Sequence, residues 1–523
     1  MAVGTVAVTN STTCDAAERL SSRTTAAGQF QYVYDSNNGL LASVSNLAAG
    51  IQVVYGFDVI DRVTNIVWRN STGGVLRAFD YSYNAAGMIT NVARETSTEN
   101  VGYGVDSLDR ITSANASYLA ASYTWDLAGN PMRRTENGVT NNCVLTNGNQ
   151  LVSWAGGTNR FDAAGNGTNI VRGGVNWGLI WNGQYQLTEM RSNNVAVERY
   201  GYDALGRRAW TWDGAATNYH LYNGIHVMAD VTATGSPIRT YSYSAGIDNL
   251  SAITVHTGAV AKTYYCLTDH AGTVHALADN TGAVVKSYRF DPWGRVLGTW
   301  NGAGQSIAAS AIGNRYLLHG REYSWRTGLY YFRARYFDPQ TARWLSKDPL
   351  GIAGGQNLYQ AMNCNLVRFR DSFGLCKSGE DFVSYYRDRL IKSSQNDSWP
   401  AWNGWDPLHV IGDTLSDWQV DIGQWDSSIY EYKGRVMKAN QMGNYAAGYL
   451  TTELWGPLIA SAALICVEGG SLFDDSPSGS RWSDAMGSWK YNFEGMGQKL
   501  QENRAADDAY YESGQMWIDS TPP

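Results

Sequence analysis

From residue 34 to residue 207 the chain keeps returning to one short pattern. An aromatic (once Val) is followed by Asp or Asn, two or three further residues, and then Gly or Asp before Arg or Asn. It occurs at Tyr34-Asp35…Gly39, Phe57-Asp58…Asp61-Arg62, Tyr83-Asn84…Gly87 and Val105-Asp106…Asp109-Arg110. It continues at Trp125-Asp126…Gly129-Asn130, Phe161-Asp162…Gly165-Asn166, a degenerate Trp181-Asn182-Gly183 and a full Tyr202-Asp203…Gly206-Arg207. Most steps are about 20 to 26 residues, the period of stacked repeat architectures. Cys14-Asp15…Arg19 fits with two positions eroded, so the array is expected to start inside a repeat, as if truncated at its N-terminus.

Each unit has a physical reading. A strand of alternating polarity ends on the aromatic, Asp and Gly make the turn, and Arg opens the return strand. Asp bonds its own backbone two residues on, and Gly accepts positive φ. The aromatic is expected to face inward and pack on its counterpart in the next unit. One hairpin cannot bury its apolar face, whereas stacked hairpins share a core.

Composition agrees with a β architecture. The 523 residues hold 56 Gly and only 17% charged side chains, with 44% apolar and 12% aromatic. Long helices want Ala, Leu, Glu and Lys instead. A net charge of -7 gives no electrostatic case for nucleic acid. The six cysteines are scattered with no CxxC pair, which indicates neither a zinc site nor a disulfide framework. His270 and His275 lie close together but lack a third ligand at suitable spacing, so no metal or cofactor is expected. No signal peptide is visible at the N-terminus.

The run 320–375 reads GREYSWRTGLYYFRARYFDPQTARWLSKDPLGIAGGQNLYQAMNCNLVRFRDSFGL. A strand-like aromatic block from Leu329 to Phe337 leads into Asp338-Pro339 and Asp348-Pro349, and the run closes on Asp371-Ser-Phe-Gly374-Leu375. It resembles the Rhs-associated core of bacterial Rhs/YD-repeat proteins, with teneurin and insecticidal-toxin relatives. The stretch 265–295, with Asp269-His270-Ala-Gly272 and Phe290-Asp291-Pro-Trp-Gly294-Arg295, resembles that family's approach to the core.

The resemblance implies a mainly β protein: a YD-repeat β-shell, one antiparallel sheet spiralling into a hollow cocoon, then a smaller, mostly α-helical C-terminal domain. Boundaries are expected at 1–300 for the repeats, 301–375 for the core or plug, and 376–523 for a variable domain. It also implies aspartic-type self-cleavage between Leu375 and Cys376, with Arg335, Asp348 and Asp371 as catalytic residues and Gly374 as a motif residue. Two nearby carboxylates cannot both ionise easily, so one stays protonated while the other acts as base. Arg335 would hold a carboxylate or the developing oxyanion. Which Asp is acid and which is base stays open. The family ending, Asn-Pro then Asp-Pro-x-Gly-Leu, has Leu366 and Ser372 here in place of its prolines, which should loosen the presentation of Leu375. A rival, attack by the Cys376 thiol, needs an activating base, and no His is near in sequence.

After Leu375 acidic residues outnumber basic ones nearly two to one, and helical patterns occur at 382–392 and 485–504. The run Leu454 to Val467 falls short of the roughly 20 residues a bilayer needs and suits a buried helix. A fragment Met442…Gly448 followed by Asp474-Asp475 is too short to carry a catalytic assignment. The expected protein is a secreted or surface Rhs polymorphic toxin fragment of unknown export route, used in interbacterial competition. Its expected partners are its own C-terminal domain as enclosed cargo, a cognate immunity protein and secretion-system delivery proteins, with no nucleic acid and no membrane span. The alternatives are a structural or adhesive YD-repeat surface protein without cleavage or toxicity, and a degenerate cassette.

Overall fold

The computed structural model describes residues 10–375, apart from 18, 257, 259 and 309–311, and four short strands at 2–3, 6–7, 429–432 and 435–438. The chain divides into two compact units, Met1–Asn396 and Asp397–Pro523. The described part of the second is the hairpin Ile429–Tyr432 with Arg435–Lys438. The helical segments and short motifs expected after residue 375 lie outside the described residues.

The first unit is built of antiparallel strands in strict chain order. Fifteen run from Ser11–Cys14 to Gly157–Thr158, and fourteen from Arg160–Phe161 to Val296–Asn301. The expected single sheet is thus two sheets, parted at Asn159. The Asn159 side chain replaces the missing ladder there: Nδ2 donates to the Leu151 carbonyl at 2.9 Å, and Oδ1 accepts from Val171 N–H at 3.3 Å.

At the repeat aromatics the ladder slips register, as at Val33/Tyr34, Gly56/Phe57, Thr124/Trp125 and Gly201/Tyr202. A bulge at each turn sharpens the right-handed twist of the sheet. Within the turn, Asp58 Oδ1 accepts from Ile60 N–H at 3.1 Å and Arg62 N–H at 2.9 Å, and Oδ2 holds Arg62 Nε at 2.7 Å. Asn130 and Asn166 substitute an amide for the guanidinium.

The aromatic does not pack on the next unit's ring as expected. It reaches back to the preceding one. Tyr83 Oη donates to Val63 O at 2.6 Å, Trp125 Nε1 to Ile111 O at 2.8 Å, and Tyr202 Oη to Leu187 O at 2.7 Å. Each acceptor follows the last residue of the preceding turn. The rings also carry the preceding arginine: Arg19 lies 4.4 Å from the Tyr34 centroid and Arg62 4.6 Å from that of Tyr83. A ring with a polar tip thus offers a cation–π face and a donor together, which explains why Tyr and Trp suit the position.

Asp203→Ala tests this turn. It removes acceptors for Leu205 N–H and Arg207 N–H, both at 2.9 Å, and the partner of Arg207 Nε. The half-buried ion pair still faces solvent and contributes little by itself, so a loss of about 1–2 kcal/mol is expected, read as a lower urea midpoint.

The early strands of the first sheet pack on late strands of the second. Phe79, Ile89 and Val92 share one apolar cluster with Ala252, Leu267 and Ala276. Trp68 Nε1 donates to Thr268 O at 2.9 Å across this contact. A small four-stranded sheet, Glu322–Tyr323, Tyr330–Phe332, Arg335–Asp338 and Arg343–Trp344, lies against both walls.

The stretch 357–368 then runs along the repeat turns and gives donors to successive ones. Tyr359 Oη donates to Gly165 O at 2.7 Å, Asn357 Nδ2 to Ala128 O at 2.9 Å, Asn365 Nδ2 to Asp109 O at 2.7 Å, and Arg368 Nη1 to Gly87 O at 3.0 Å. From the wall, His319 Nε2 and His270 Nε2 donate to the Leu366 and Val367 carbonyls at 2.9 and 2.8 Å. Both histidines hold backbone from turns, while His275, the other member of the close pair, lies on the strand Val274–Ala278 with Nε2 on Asp269 Oδ2 at 3.1 Å.

Burial, reinforced by Arg370, pushes the His319 pKa down from 6.5 to about 3, against a smaller upward pull from Asp269. Its folded pKa is thus below its unfolded one. Its stabilising share is complete above pH 6.5 and is lost as pH falls toward about 3. Urea midpoints measured across that window should drop less in His319→Gln, whose amide can still donate to Leu366 O.

Candidate self-cleavage site

The strand-like aromatic block Leu329–Phe337 folds as a hairpin. Tyr330–Phe332 pairs with Arg335–Asp338 through the two-residue turn Arg333-Ala334. The turn contains no Gly or Asn to announce it, and Arg333 adopts φ 61°. This reversal carries Arg335 into the interior, 1% exposed, with its guanidinium 4.2 Å from the Trp344 ring centroid.

Arg335 gathers the predicted residues. Its Nη2 lies 3.0 Å from Asp348 Oδ2 and 3.5 Å from Asp371 Oδ2. Its Nε donates to the Gly374 carbonyl, and Nη1 to Leu358 O at 3.3 Å. Both carboxylates are buried. Burial raises the Asp348 pKa and the charge of Asp371 adds to this, outweighing the opposing pull of Arg335 and the Leu350 N–H. Gly354 leaves room for this carboxylate, since a Cβ there would sit 2.6 Å from Asp348 Oδ2.

Asp371 organises the segment that follows. Its Oδ1 accepts from Phe373, Gly374 and Leu375 N–H at 3.2, 2.7 and 3.1 Å. The carbonyls of the same segment are held by three consecutive residues of the hairpin. Arg333 Nη1 donates to Ser372 O, Ala334 N–H to Phe373 O at 3.1 Å, and Arg335 Nε to Gly374 O. Gly374 has φ 73°, and a Cβ on it would stand 2.5 Å from Phe332 O, so Gly alone fits. Leu366, where the family has proline, is buried with its carbonyl bound to His319, and Ser372 is tied through its own carbonyl. Side chains hold the backbone that proline would stiffen.

The structure therefore brings Arg335, Asp348, Asp371, Gly374 and Leu375 together, while Cys376 lies outside the described residues. Asp338 is elsewhere, paired with Arg172 at 3.2 Å and Thr341 at 3.1 Å. Arg333, its partner Asp248 and Gly354 were missed. Asp248 had no signal, standing over eighty residues from the hairpin in an ordinary wall loop. Among the described residues no cluster of His, Cys, Asp or Glu could hold a metal ion, and no helix is long and apolar enough to cross a membrane.

Consecutive hairpins with aromatic-Asp turns, closed over an Arg–Asp–Asp core, define a YD-repeat shell protein. The Teneurin YD-shell family model matches residues 78–373, and the chain belongs to that family. It is 26% identical over 352 residues to double-stranded DNA deaminase toxin A of Burkholderia cenocepacia, covering 61% of this chain and 23% of that protein. It is 27% identical over 306 residues to the tRNA(Glu)-specific nuclease WapA of Bacillus subtilis subsp. natto, covering 55% of this chain and 12% of that protein. The chain thus spans less than a quarter of either relative. In fold it is similar to the crystal structure of TcdB2-TccC3-TEV, with TM-score 0.55 and 19% identity over 70% of this chain and 21% of that one.

Proposed function

We propose that this chain is the shell end of an Rhs-type polymorphic toxin that cuts itself between Leu375 and Cys376, releasing residues 376–523 as the effector it encloses. The observation that carries the reading is the placement of Asp348 and Asp371 on one guanidinium nitrogen, at 3.0 and 3.5 Å, with Asp371 also bonded to the Leu375 amide. Two carboxyl groups close enough that one keeps its proton, beside a specific peptide, are what a water-using aspartic mechanism requires, and Arg335 supports the pair by holding both in place.

Roles follow from the surroundings. Asp348, whose pKa burial and Asp371 raise, is assigned the role of acid. Asp371, acceptor of three amides, acts as the base. It takes a proton from water as the oxygen attacks the Leu375 carbonyl carbon. Asp348 gives its proton to the Cys376 nitrogen as the C–N bond breaks; the new Leu375 carboxyl returns a proton to Asp348 and the new amine takes up the one on Asp371, leaving a carboxylate, an ammonium group and both acids as they began. Because enzyme and peptide are one chain, no binding step limits the reaction.

The two curated relatives share the shell but carry different activities in their names, DNA deamination and tRNA cleavage. That supports a common container with interchangeable cargo, whose chemistry here belongs to residues 376–523. Export, an immunity protein and delivery proteins are part of the same proposal. Intact-mass analysis of the full chain tests it: fragments ending at Leu375 and beginning at Cys376 are expected, together with growth arrest in a bacterium expressing the chain. A single uncut mass and tolerated expression would favour a structural or adhesive surface protein.

A further inference from the structure

Arg333 sits beside the site, and the roles assigned to Arg335 and the two acids leave it unused. It occupies a left-handed position of a tight turn, φ 61°, where a non-glycine residue is uncommon. Its guanidinium forms a fork on Asp248, with Nη2 to Oδ1 at 2.6 Å and Nη1 to Oδ2 at 3.0 Å. From there Nη1 also reaches the Ser372 carbonyl, and the guanidinium carbon lies 5.1 Å from the Phe373 ring centroid. Nη2 further approaches Ile225 O at 3.4 Å. One side chain thus grips two adjacent residues of the segment between Asp371 and Gly374.

Asp248 is built to hold that arginine still. It is 2% exposed, its Oδ1 also accepts from Arg321 Nη1 at 2.9 Å, and its own N–H is bound by His226 Nε2 at 3.2 Å. Arg321 is fixed in turn on the Tyr331 carbonyl at 3.0 Å. The wall loop that carries Asp248 is tied to the cleavage segment a second time, by Arg370 Nη2 on Ile247 O at 3.2 Å. It is tied to the early strands by Arg23 Nη1 on Ser244 O at 2.9 Å and Tyr32 Oη on Ser244 Oγ at 2.8 Å.

We propose that Arg333, locked by Asp248, is the positioning residue that seats Ser372 and Phe373 so that the Leu375–Cys376 peptide meets the two acids. The proposal rests on cleavage at that peptide. Arg333 touches no reacting atom. It fixes the carbonyl three residues before the bond, while Ala334 and Arg335 fix the next two. With the segment unseated, the acids keep their places on Arg335 but the peptide drifts, and a displacement of about 1 Å lowers a reaction of this kind about 100-fold.

The test uses the full chain as Arg333→Met, Arg333→Lys and Asp248→Asn, with two readouts. Self-cleavage is followed by intact mass, and amide exchange at Gly374 and Leu375 is measured in an Asp348→Asn background that cannot cut. Arg333→Met is expected to slow cleavage about 100-fold and to expose both amides, while Val274 in the core keeps its protection. Arg333→Lys should recover part of the rate, and Asp248→Asn should fall between. Cleavage at the parent rate in Arg333→Met overturns the proposal, and so does a rate loss without faster exchange at Gly374 and Leu375. If the parent chain itself stays intact, the cleavage reading fails. The seating role then stands or falls on the exchange measurement alone.

Discussion

Asp371→Asn is expected to leave the full chain as one uncut mass, with any residual cleavage slowed by at least 100- to 10,000-fold, the range a positioned acid–base group supplies. The substitution separates chemistry from architecture. An asparagine oxygen can still accept from the Phe373, Gly374 and Leu375 amides that Oδ1 holds. What it loses is the second oxygen, which faces Arg335 Nη2 at 3.5 Å and is the proton acceptor in the proposed mechanism. Fragmentation equal to that of the parent would sink the mechanism. The pH dependence carries a second signature. Burial and Asp371 raise the Asp348 pKa, so its acid form persists to higher pH than in an ordinary carboxyl. On the alkaline side, cleavage should weaken as pH climbs through that raised value.

Asp230→Ala should give the largest loss of stability, about 3–5 kcal/mol, because it strands buried charge. Asp230 is fully buried where Arg315, His220 and Tyr241 converge. Its Oδ1 meets His220 Nδ1 at 2.8 Å, and its Oδ2 accepts from Tyr241 Oη at 2.5 Å and from Arg315. Burial by itself would raise this carboxyl, but Arg315 and His220 hold it well below the usual range. Arg315 also binds Glu322 at 2.9 Å, joining the wall to the small inner sheet. Removing Asp230 leaves one buried carboxylate, Glu322, to balance both Arg315 and Arg208. A urea midpoint within about 1 kcal/mol of the parent would show that the network adds specificity and little stability.

Much of this was legible in the chain because the repeat is local chemistry. An Asp carboxylate binding amides two and four residues on needs nothing beyond its own turn, so Asp58 and Asp203 announce themselves. Further turns escaped notice where the pattern is eroded, at Asn70-Ser-Thr-Gly73, Thr146-Asn-Gly-Asn149 and Thr232-Ala-Thr-Gly235. Each still bonds its own backbone through Asn Oδ1 or Thr Oγ1. The hairpin inside Leu329–Phe337 was hidden for another reason: its turn uses Arg333 and Ala334, and surrounding contacts hold a conformation that Gly would normally signal.

The amino-acid order alone specified the turn chemistry of the hairpins and the make-up of the core run, whose resemblance to the Rhs-associated core singled out Arg335, Asp348 and Asp371. Only tertiary structure decided that two acids twenty-three positions apart share one guanidinium nitrogen, and that a wall aspartate, Asp248, holds the arginine gripping the end of the segment. Turn geometry follows from neighbours along the chain. Convergence of charges depends on how a twisted sheet returns over its own earlier strands, and no local pattern encodes that path.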